Sequence, residues 1–299
     1  MIENKTDVIA STYLGKKSEI SNKYDPSVIV PIPRAENRNK YSIDSSTLPF
    51  EGYDVWHCYE FSTLLNNGVP VARVLKLKYS ANSEYIVESK SLKLYLNSFN
   101  MSCWGDSIED CLRICKSTIE NDLSKRLCTS VKTEFLCNAR RVNIFSNYNN
   151  ILDFADYNNI KITDFKENSS LLKVAKTNTI KEYFLNFDSL RSNCRVTHQP
   201  DFGDVFIYYK SKNFIDYNSL LKYLVSFRNE YHFHEECCEM IYKRLHDLLN
   251  EEDLLMVCAL YTRRGGIDIS PVRYSNGFMN DDIKKLIDLG FFARYGIKQ

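Results

Sequence analysis

The chain lacks the devices by which many proteins declare a nucleotide or a metal. It has no Gly-x-Gly-x-x-Gly and no Gly-Lys-Ser/Thr, so any nucleotide it uses is held neither by a dinucleotide-binding turn nor by a phosphate loop of the Walker type. Ten cysteines include no Cys-x-x-Cys; the nearest approaches are Cys111-x-x-x-Cys115 and the adjacent Cys237-Cys238. Glycine (10) and proline (7) are sparse for 299 residues. No stretch approaches the run of about 18 apolar residues that a membrane helix requires. No sign of charge dominates: 39 Lys+Arg face 38 Asp+Glu, a balance that argues against a dedicated nucleic-acid binder, which carries a basic excess. The first residues, Met1-Ile2-Glu3-Asn4-Lys5, hold no apolar secretory core. A cytoplasmic chain with free thiols is the expectation.

What is present is a folding composition. With 44% hydrophobic and 26% charged residues the chain is not a disordered one, and at about 150 residues per domain its length suits two compact units or one large one. Residues 1–50 read as polar and loop-like, punctuated by Pro26, Pro31, Pro33 and Pro49. Val71 to Tyr79 alternates as a half-buried strand, Leu75, Leu77 and Tyr79 inward, Lys76 and Lys78 outward. Ser91 to Phe99 is apolar on a helical face. Ser107 to Leu127 is the clearest helix: Ile108, Cys111, Leu112, Cys115, Ile119 and Leu123 recur at helical spacing behind a Ser107/Asp110 cap signature. Lys132 to Leu136 reads as a strand.

Residues 138–175 are the least patterned, a connection with short strands expected around Ile160–Ile162. Beyond it the order repeats: a strand at Val205 to Tyr209, an apolar face at Ser219 to Phe227, a helix on Cys238, Ile241, Leu245 and Leu248, and a strand at Leu254 to Thr262. Tyr95-Leu96-Asn97-Ser98-Phe99 also matches Tyr223-Leu224-Val225-Ser226-Phe227, 128 residues later. A duplicated α+β module follows, with antiparallel sheets and helices gathered on one face rather than alternating β-α-β units.

Four segments carry chemistry. Ser192 through Gly203 sets a thiol (Cys194), an imidazole (His198) and a carboxylate (Asp201) beside turn residues. A thiol attacks only as thiolate, and His198 or Asp201 could take its proton; a buried cysteine before an ordinary turn is the plain alternative. His232-Phe233-His234-Glu235-Glu236-Cys237-Cys238 looks at first like a metal site, but Cys238 continues a helix face and tetrahedral zinc draws on separated ligand pairs. A glutamate at this helix start suits the adjacent N–H and NH2 donors of a guanine-like edge, or simply the helix dipole. Arg263-Arg264-Gly265-Gly266 at a strand end suits phosphate, as forked guanidinium and open backbone N–H groups would, or faces water. Glu88-Ser89-Lys90-Ser91-Leu92-Lys93 sets Glu, Ser and Lys before an apolar face, to meet a polar ligand or to cap a helix.

Together these segments resemble the NADPH-dependent 7-cyano-7-deazaguanine reductases, the nitrile reductases of queuosine biosynthesis. Glu88 to Tyr95 resembles that family's signature, and Ser192-Asn193-Cys194 through Asp201 its catalytic segment. Pro31-Ile32-Pro33-Arg34, Trp56 to Ala72, Tyr223 to Arg228, Phe233-His234-Glu235 and Tyr261 to Gly266 also match, in order, from near residue 13 to about 275. Residues 128–175 match weakly, and Phe202 stands where Trp is more usual.

The resemblance implies the long, two-module form: tandem tunnelling-fold (T-fold) modules, 1–150 with the Glu-Ser-Lys-Ser motif and 151–299 with the catalytic pair, assembled as a homodimer. It implies Cys194 as the nucleophile that forms a covalent thioimide with the nitrile, and Asp201 as the proton donor. Val87, Glu88, Ser89, His234 and Glu235 would bind 7-cyano-7-deazaguanine. Ser89, Lys90, Arg264 and Gly265 would bind NADPH. No metal, nucleic acid or membrane enters. Three alternatives stand beside it: a zinc-dependent cyclohydrolase-like enzyme of the same fold, a non-catalytic purine-binding module, and a Cys–His hydrolase.

Overall fold

The computed structural model describes residues 23–137, 140–296 and 298; the first 22 residues, with the start of the polar stretch and of the resemblance, and residues 138–139 lie outside the described residues. In chain order its strands and helices begin with β1 (Pro31–Pro33), α1 (Ala35–Lys40), β2 (Glu51–Leu64), β3 (Pro70–Ser80), β4 (Tyr85–Val87), α2 (Ser89–Asn97) and α3 (Ile108–Leu127). There follow β5 (Lys132–Leu136), β6 (Arg140–Asn143), β7 (Asn149–Asn150), β8 (Val174–Cys194), β9 (Pro200–Ile215), α4 (Tyr217–Ser226) and β10 (Tyr231–His232). The chain then runs through α5 (His234–His246), β11 (Leu254–Tyr261), β12 (Ile267–Tyr274), α6 (Asp281–Ile287) and β13 (Phe291–Arg294). Packing separates two units. Among the described residues, one holds 23–144 with 263–270 and 279–296; the other holds 145–262 with 271–278.

In the first unit β3 is paired antiparallel on both sides, to β2 and to β5. Alternation sends Leu75, Leu77 and Tyr79 into the core with Trp56 and Cys58 of β2. A bulge between Cys58 and Phe61 then switches parity, so the next inward residue of β2 is odd-numbered Phe61. Helices α2 and α3 close this face. Cys111, Cys115, Ile119, Leu123 and Leu127 of α3 recur every fourth residue and are all buried. The stripe is narrower than the sequence pattern predicts: Ile108 is 47% exposed and Leu112 only half-buried. Ser107 caps α3 as expected, its hydroxyl accepting from Asp110 N at 3.2 Å. Lys76, expected outward, is instead wholly buried, its Nζ donating to the carbonyls of Asp288 (2.8 Å) and Phe291 (2.9 Å). The C-terminal segment thus covers the other side of the sheet. Residues 23–50, expected as loop, contain the short β1 and α1, with Arg34 held by Asp54 and Ser83 in the interior.

The second unit is built on the long hairpin of β8 and β9, aligned from Val174 opposite Ile215 to Asn193 opposite Pro200. β11 runs antiparallel to β9, and the second half of β12 antiparallel to β11. β10 lies parallel to the end of β8, His232 level with Cys194. α5 packs on β11, where Cys238 Sγ lies 3.5 Å from the carbonyls of Val257 and Pro271. Two expectations fail. Residues 160–162 form no strand, and Leu248 lies beyond the end of α5. The architecture is α+β, its sheets mostly antiparallel.

The five-residue sequence match reappears as matched local geometry. Glu88 accepts from Ser91 N (2.7 Å) and Ser91 Oγ donates to Glu88 O (2.7 Å); 128 residues on, Asp216 accepts from Ser219 N (2.8 Å) and Ser219 Oγ donates to Asp216 O (2.7 Å). At the other end Ser98 and Ser226 each bond the carbonyl three residues back at 2.6 Å. Tyr95 meets Phe99 edge-on at 5.4 Å, and Tyr223 meets Phe227 likewise at 5.5 Å.

Candidate active site

The tip of the β8–β9 hairpin places the thiol. Ser192 aligns with Asp201 and Asn193 with Pro200. Side chains alternate along a strand, so Ser192, Cys194 and Asp201 share a face, with Cys194 on the diagonal from Asp201. The turn closes through Cys194 N to Gln199 O (2.8 Å) and His198 N to Cys194 O (2.9 Å), with His198 in the left-handed region at φ 57°. The His198 ring lies edge-on to Tyr231 at 5.0 Å. Cys194 is half-buried, whereas Cys237 and Cys238 are wholly buried, and burial pushes the Cys237 thiol up to about 12. Of these three thiols Cys194 alone combines exposure with a carboxylate on its own face.

Asp201, 6% exposed, meets His234: Oδ2 lies 3.2 Å from Nε2. The imidazole in turn stacks on Tyr261, ring centres 3.7 Å apart and 3° from parallel, which fixes its plane. Among the described residues its Nδ1 is buried without a hydrogen-bond partner. His234 and the buried Glu235 open α5, where Glu236 Oε2 caps the chain by accepting from Phe233 N (2.9 Å). Four of the residues singled out in the sequence, Cys194, Asp201, His234 and Glu235, therefore sit in one unit around one hairpin tip.

The other named residues sit in the first unit. Val87 and Glu88 are buried, Ser89 and Lys90 half-buried in the first turn of α2. Both oxygens of Glu88 accept from its own helix, Oε1 from Lys90 N (3.0 Å) and Oε2 from Ser91 N (2.7 Å). The capped-helix alternative is thus realised at Glu88. Arg264 opens a tight turn, bonded to Ile267 in both directions, with Gly265 and Gly266 at φ 59° and 80°. A Cβ on Gly266 would run into the Glu60 carboxylate. Lys93, one turn beyond Ser89, donates to Gly265 O (2.6 Å) and pairs with Glu60 (3.2 Å), so the α2 start and the glycine turn are tied together.

Lys93 lay inside the Glu88–Lys93 segment without a role assigned to it, and Glu60 escaped the sequence reading; the signal for Lys93 was its place one helical turn after the Ser89-Lys90 pair. Also missed was a buried network in the same unit: His57 Nδ1 to Asp268 (2.9 Å), Tyr59 OH to Asp268 (2.5 Å) and Arg294 to Tyr59 OH (2.7 Å). Among the described residues no three His, Cys, Asp or Glu side chains are grouped to hold a metal. The His-x-His-Cys-Cys run resolves otherwise, with His232 between Glu230 (3.0 Å) and Glu236 (3.3 Å) and both cysteines in the core.

Residues 20–135 match the family described as nitrile reductase, 7-cyano-7-deazaguanine-reductase N-terminal, and residues 200–278 match the family of QueF-like proteins. A relative from Rickettsia bellii is 39% identical over 266 residues, covering 89% of this chain and 93% of its own. The chain belongs to the NADPH-dependent 7-cyano-7-deazaguanine reductase family. Relatives bearing that same name from Colwellia psychrerythraea and Rickettsia felis are each 38% identical, over 92% and 90% of this chain and 94% of theirs. Of the two family matches, the first spans Glu88 to Lys93 and the second spans Asp201, His234, Glu235 and the Arg264 turn. Cys194 falls between them. Among the described residues no helix is long and apolar enough to cross a membrane.

Proposed function

We propose that the chain reduces the nitrile of 7-cyano-7-deazaguanine to the aminomethyl group at the expense of NADPH, in the cytoplasm, for queuosine tRNA modification. The observation that carries this reading is the hairpin tip: a half-buried thiol and a carboxyl on one face, with the carboxyl held by an imidazole that is itself fixed by a ring stack.

A nitrile carbon accepts hydride poorly until it is activated. Cys194 adds to it as thiolate, forming the C–S bond of a thioimide while the nitrogen takes a proton from Asp201. The difficult reduction is thereby divided into easier covalent steps. The proton that the Cys194 thiol gives up returns to Asp201, so the step balances, and His234, 3.2 Å from Asp201, holds that carboxyl at the nitrogen. Two hydrides and two protons separate nitrile from amine, and Cys194 leaves as thiolate between the two reductions, so the thiol is regenerated. Glu235 accepts from the adjacent N–H and NH2 donors of the deazaguanine edge. Glu88, whose oxygens are already aimed along its own helix start, braces Val87 and Ser89 in the substrate site.

NADPH supplies hydride when bound. The glycine turn fits it: two glycines in the left-handed region leave the backbone open to close approach, and a Cβ at Gly266 would meet the Glu60 carboxylate. Arg264 and Lys90 would meet its phosphates, with Ser89 and Gly265 as hydrogen-bonding partners. The matched geometry at α2 and α4 supports tandem T-fold modules, and family membership supports a homodimer that handles a small molecule rather than nucleic acid.

The test is NADPH oxidation in the presence of 7-cyano-7-deazaguanine, with intact-mass analysis of the protein. Wild type should gain the mass of the nitrile; Cys194→Ala should gain none and should oxidise no NADPH. An alanine variant that still turns over near the normal rate would sink the assignment of the nucleophile.

A further inference from the structure

A chain of charged side chains runs past the hairpin tip. Arg244 Nε bonds Glu167 (3.0 Å), whose backbone N–H donates to Glu230 (2.9 Å). Glu230 bonds one nitrogen of His232 (3.0 Å) and Glu236 the other (3.3 Å). Arg195, the residue after the thiol, closes the series on Glu236 at 3.1 Å. The backbone agrees with the side chains: His232 lies level with Cys194 in the parallel β10–β8 pair, and Asn193 N donates to Glu230 O at 2.8 Å. Glu236 is at once the cap of α5, the partner of His232 and the partner of Arg195.

We infer that His232 is the positioning residue of this centre: held as imidazolium between Glu230 and Glu236, it pins the first turn of α5, with His234 and Glu235, to the hairpin tip that carries Cys194. The inference rests on the proposed roles of Cys194, His234 and Glu235 only for its effect on turnover; the pinning itself is structural.

Charge balance requires the proton. A neutral His232 has one N–H for two carboxylates, so either Glu230 or Glu236 faces a lone pair. His232 is 9% exposed; burial opposes its charge, but the hydrogen bonds and charges of the two glutamates outweigh this and raise it from 6.5 to about 8. Glu230 is lowered correspondingly, chiefly by His232 and also by Glu167 N–H and Lys166. The charged groups around the imidazole are thus Glu230 and Glu236, then Arg195, Lys166 and Glu167, with Arg244 outermost. Above pH about 8 the proton leaves and the pin loosens.

The test uses the full chain. Hydrogen–deuterium exchange, corrected for intrinsic rates, is followed at residues 193–199 and 233–237 from pH 6 to 9.5, beside kcat/KM for nitrile reduction. The shift from 6.5 to about 8 corresponds to a loss of protection of up to about 30-fold in wild type across that range. His232→Gln should be less protected throughout, flat with pH, and without the alkaline fall in kcat/KM that wild type shows near 8. Glu230→Gln, which keeps the imidazole but removes one carboxylate, should move the fall toward 6.5. Wild-type protection and the wild-type alkaline limb persisting in both variants would overturn the inference. A wild type that gains no adduct and oxidises no NADPH overturns the proposed function instead, and the exchange data then still decide the pinning.

Discussion

Replacing Lys76 by Met tests the least expected packing in the first unit. The side chain is wholly buried, and its amino group meets two backbone carbonyls, Asp288 O and Phe291 O. Burial depresses it from 10.5 to about 7, against the opposing attraction of Asp288 and with a small further push from Lys78. A neutral amine has two hydrogens to give, and the two carbonyls take both. Between pH 7 and 10.5 the unfolded chain therefore holds a proton that the folded chain has released, and stability must rise with pH. One pKa step is worth about 1.4 kcal/mol, so the full effect is about 5 kcal/mol, of which about 2 kcal/mol appears between pH 7 and 9.

Urea unfolding at pH 7, 8 and 9 reads this directly. Other groups titrate in the same window: His232 pulls the opposite way, its stabilisation being complete below 6.5 and lost as pH rises through about 8. The difference between wild type and Lys76→Met cancels that background. At pH 7 the variant trades a costly buried cation for two carbonyls without donors, which cost about 1–3 kcal/mol each, so the two proteins should be of similar stability. By pH 9 wild type should lead by about 2 kcal/mol more. Parallel stability–pH curves would refute the reasoning, because they would mean that Lys76 keeps its proton or is not enclosed.

Two further perturbations separate the parts of the site. Asp201→Asn keeps the shape of the hairpin tip but cannot give a proton; kcat should fall by about 10² to 10⁴ while calorimetric affinity for the nitrile stays within a few-fold, and an equal loss in affinity would assign Asp201 to binding instead. Gly266→Ala forces a Cβ into the left-handed region against Glu60. It should raise KM for NADPH about tenfold and leave KM for the nitrile nearly unchanged; equal shifts in both would remove the glycine turn from the cofactor site.

What was legible in the sequence, and what was not, follows from the range of the interactions. The stripe of α3 was readable because Cys111 to Leu127 repeats at a local period and each residue goes inward for the same reason. Cys194 and Asp201 stood close together in the sequence, and the hairpin converts their separation of seven into a shared face. β2 hides its period behind a bulge that changes parity between Cys58 and Phe61. β12 hides for a different reason. Every residue from Ile267 to Tyr274 is buried, including Asp268, Ser270 and Arg273, so no alternation exists to be found.

Those charges are tolerable only because partners arrive from far along the chain, His57 and Tyr59 for Asp268, Glu239 for Arg273. A lone buried charge would cost several kcal/mol, and its position alone reads as surface. The same limit explains Lys76, whose alternation with Leu75 and Leu77 pointed outward until the carbonyls of Asp288 and Phe291 covered that side. It also explains Lys93 and Gly265, separated by 172 residues and joined at 2.6 Å. Local period reports which way a side chain points. It cannot report what comes to meet it, and in this chain the meeting groups decide which polar residues are solvated and which belong to a site.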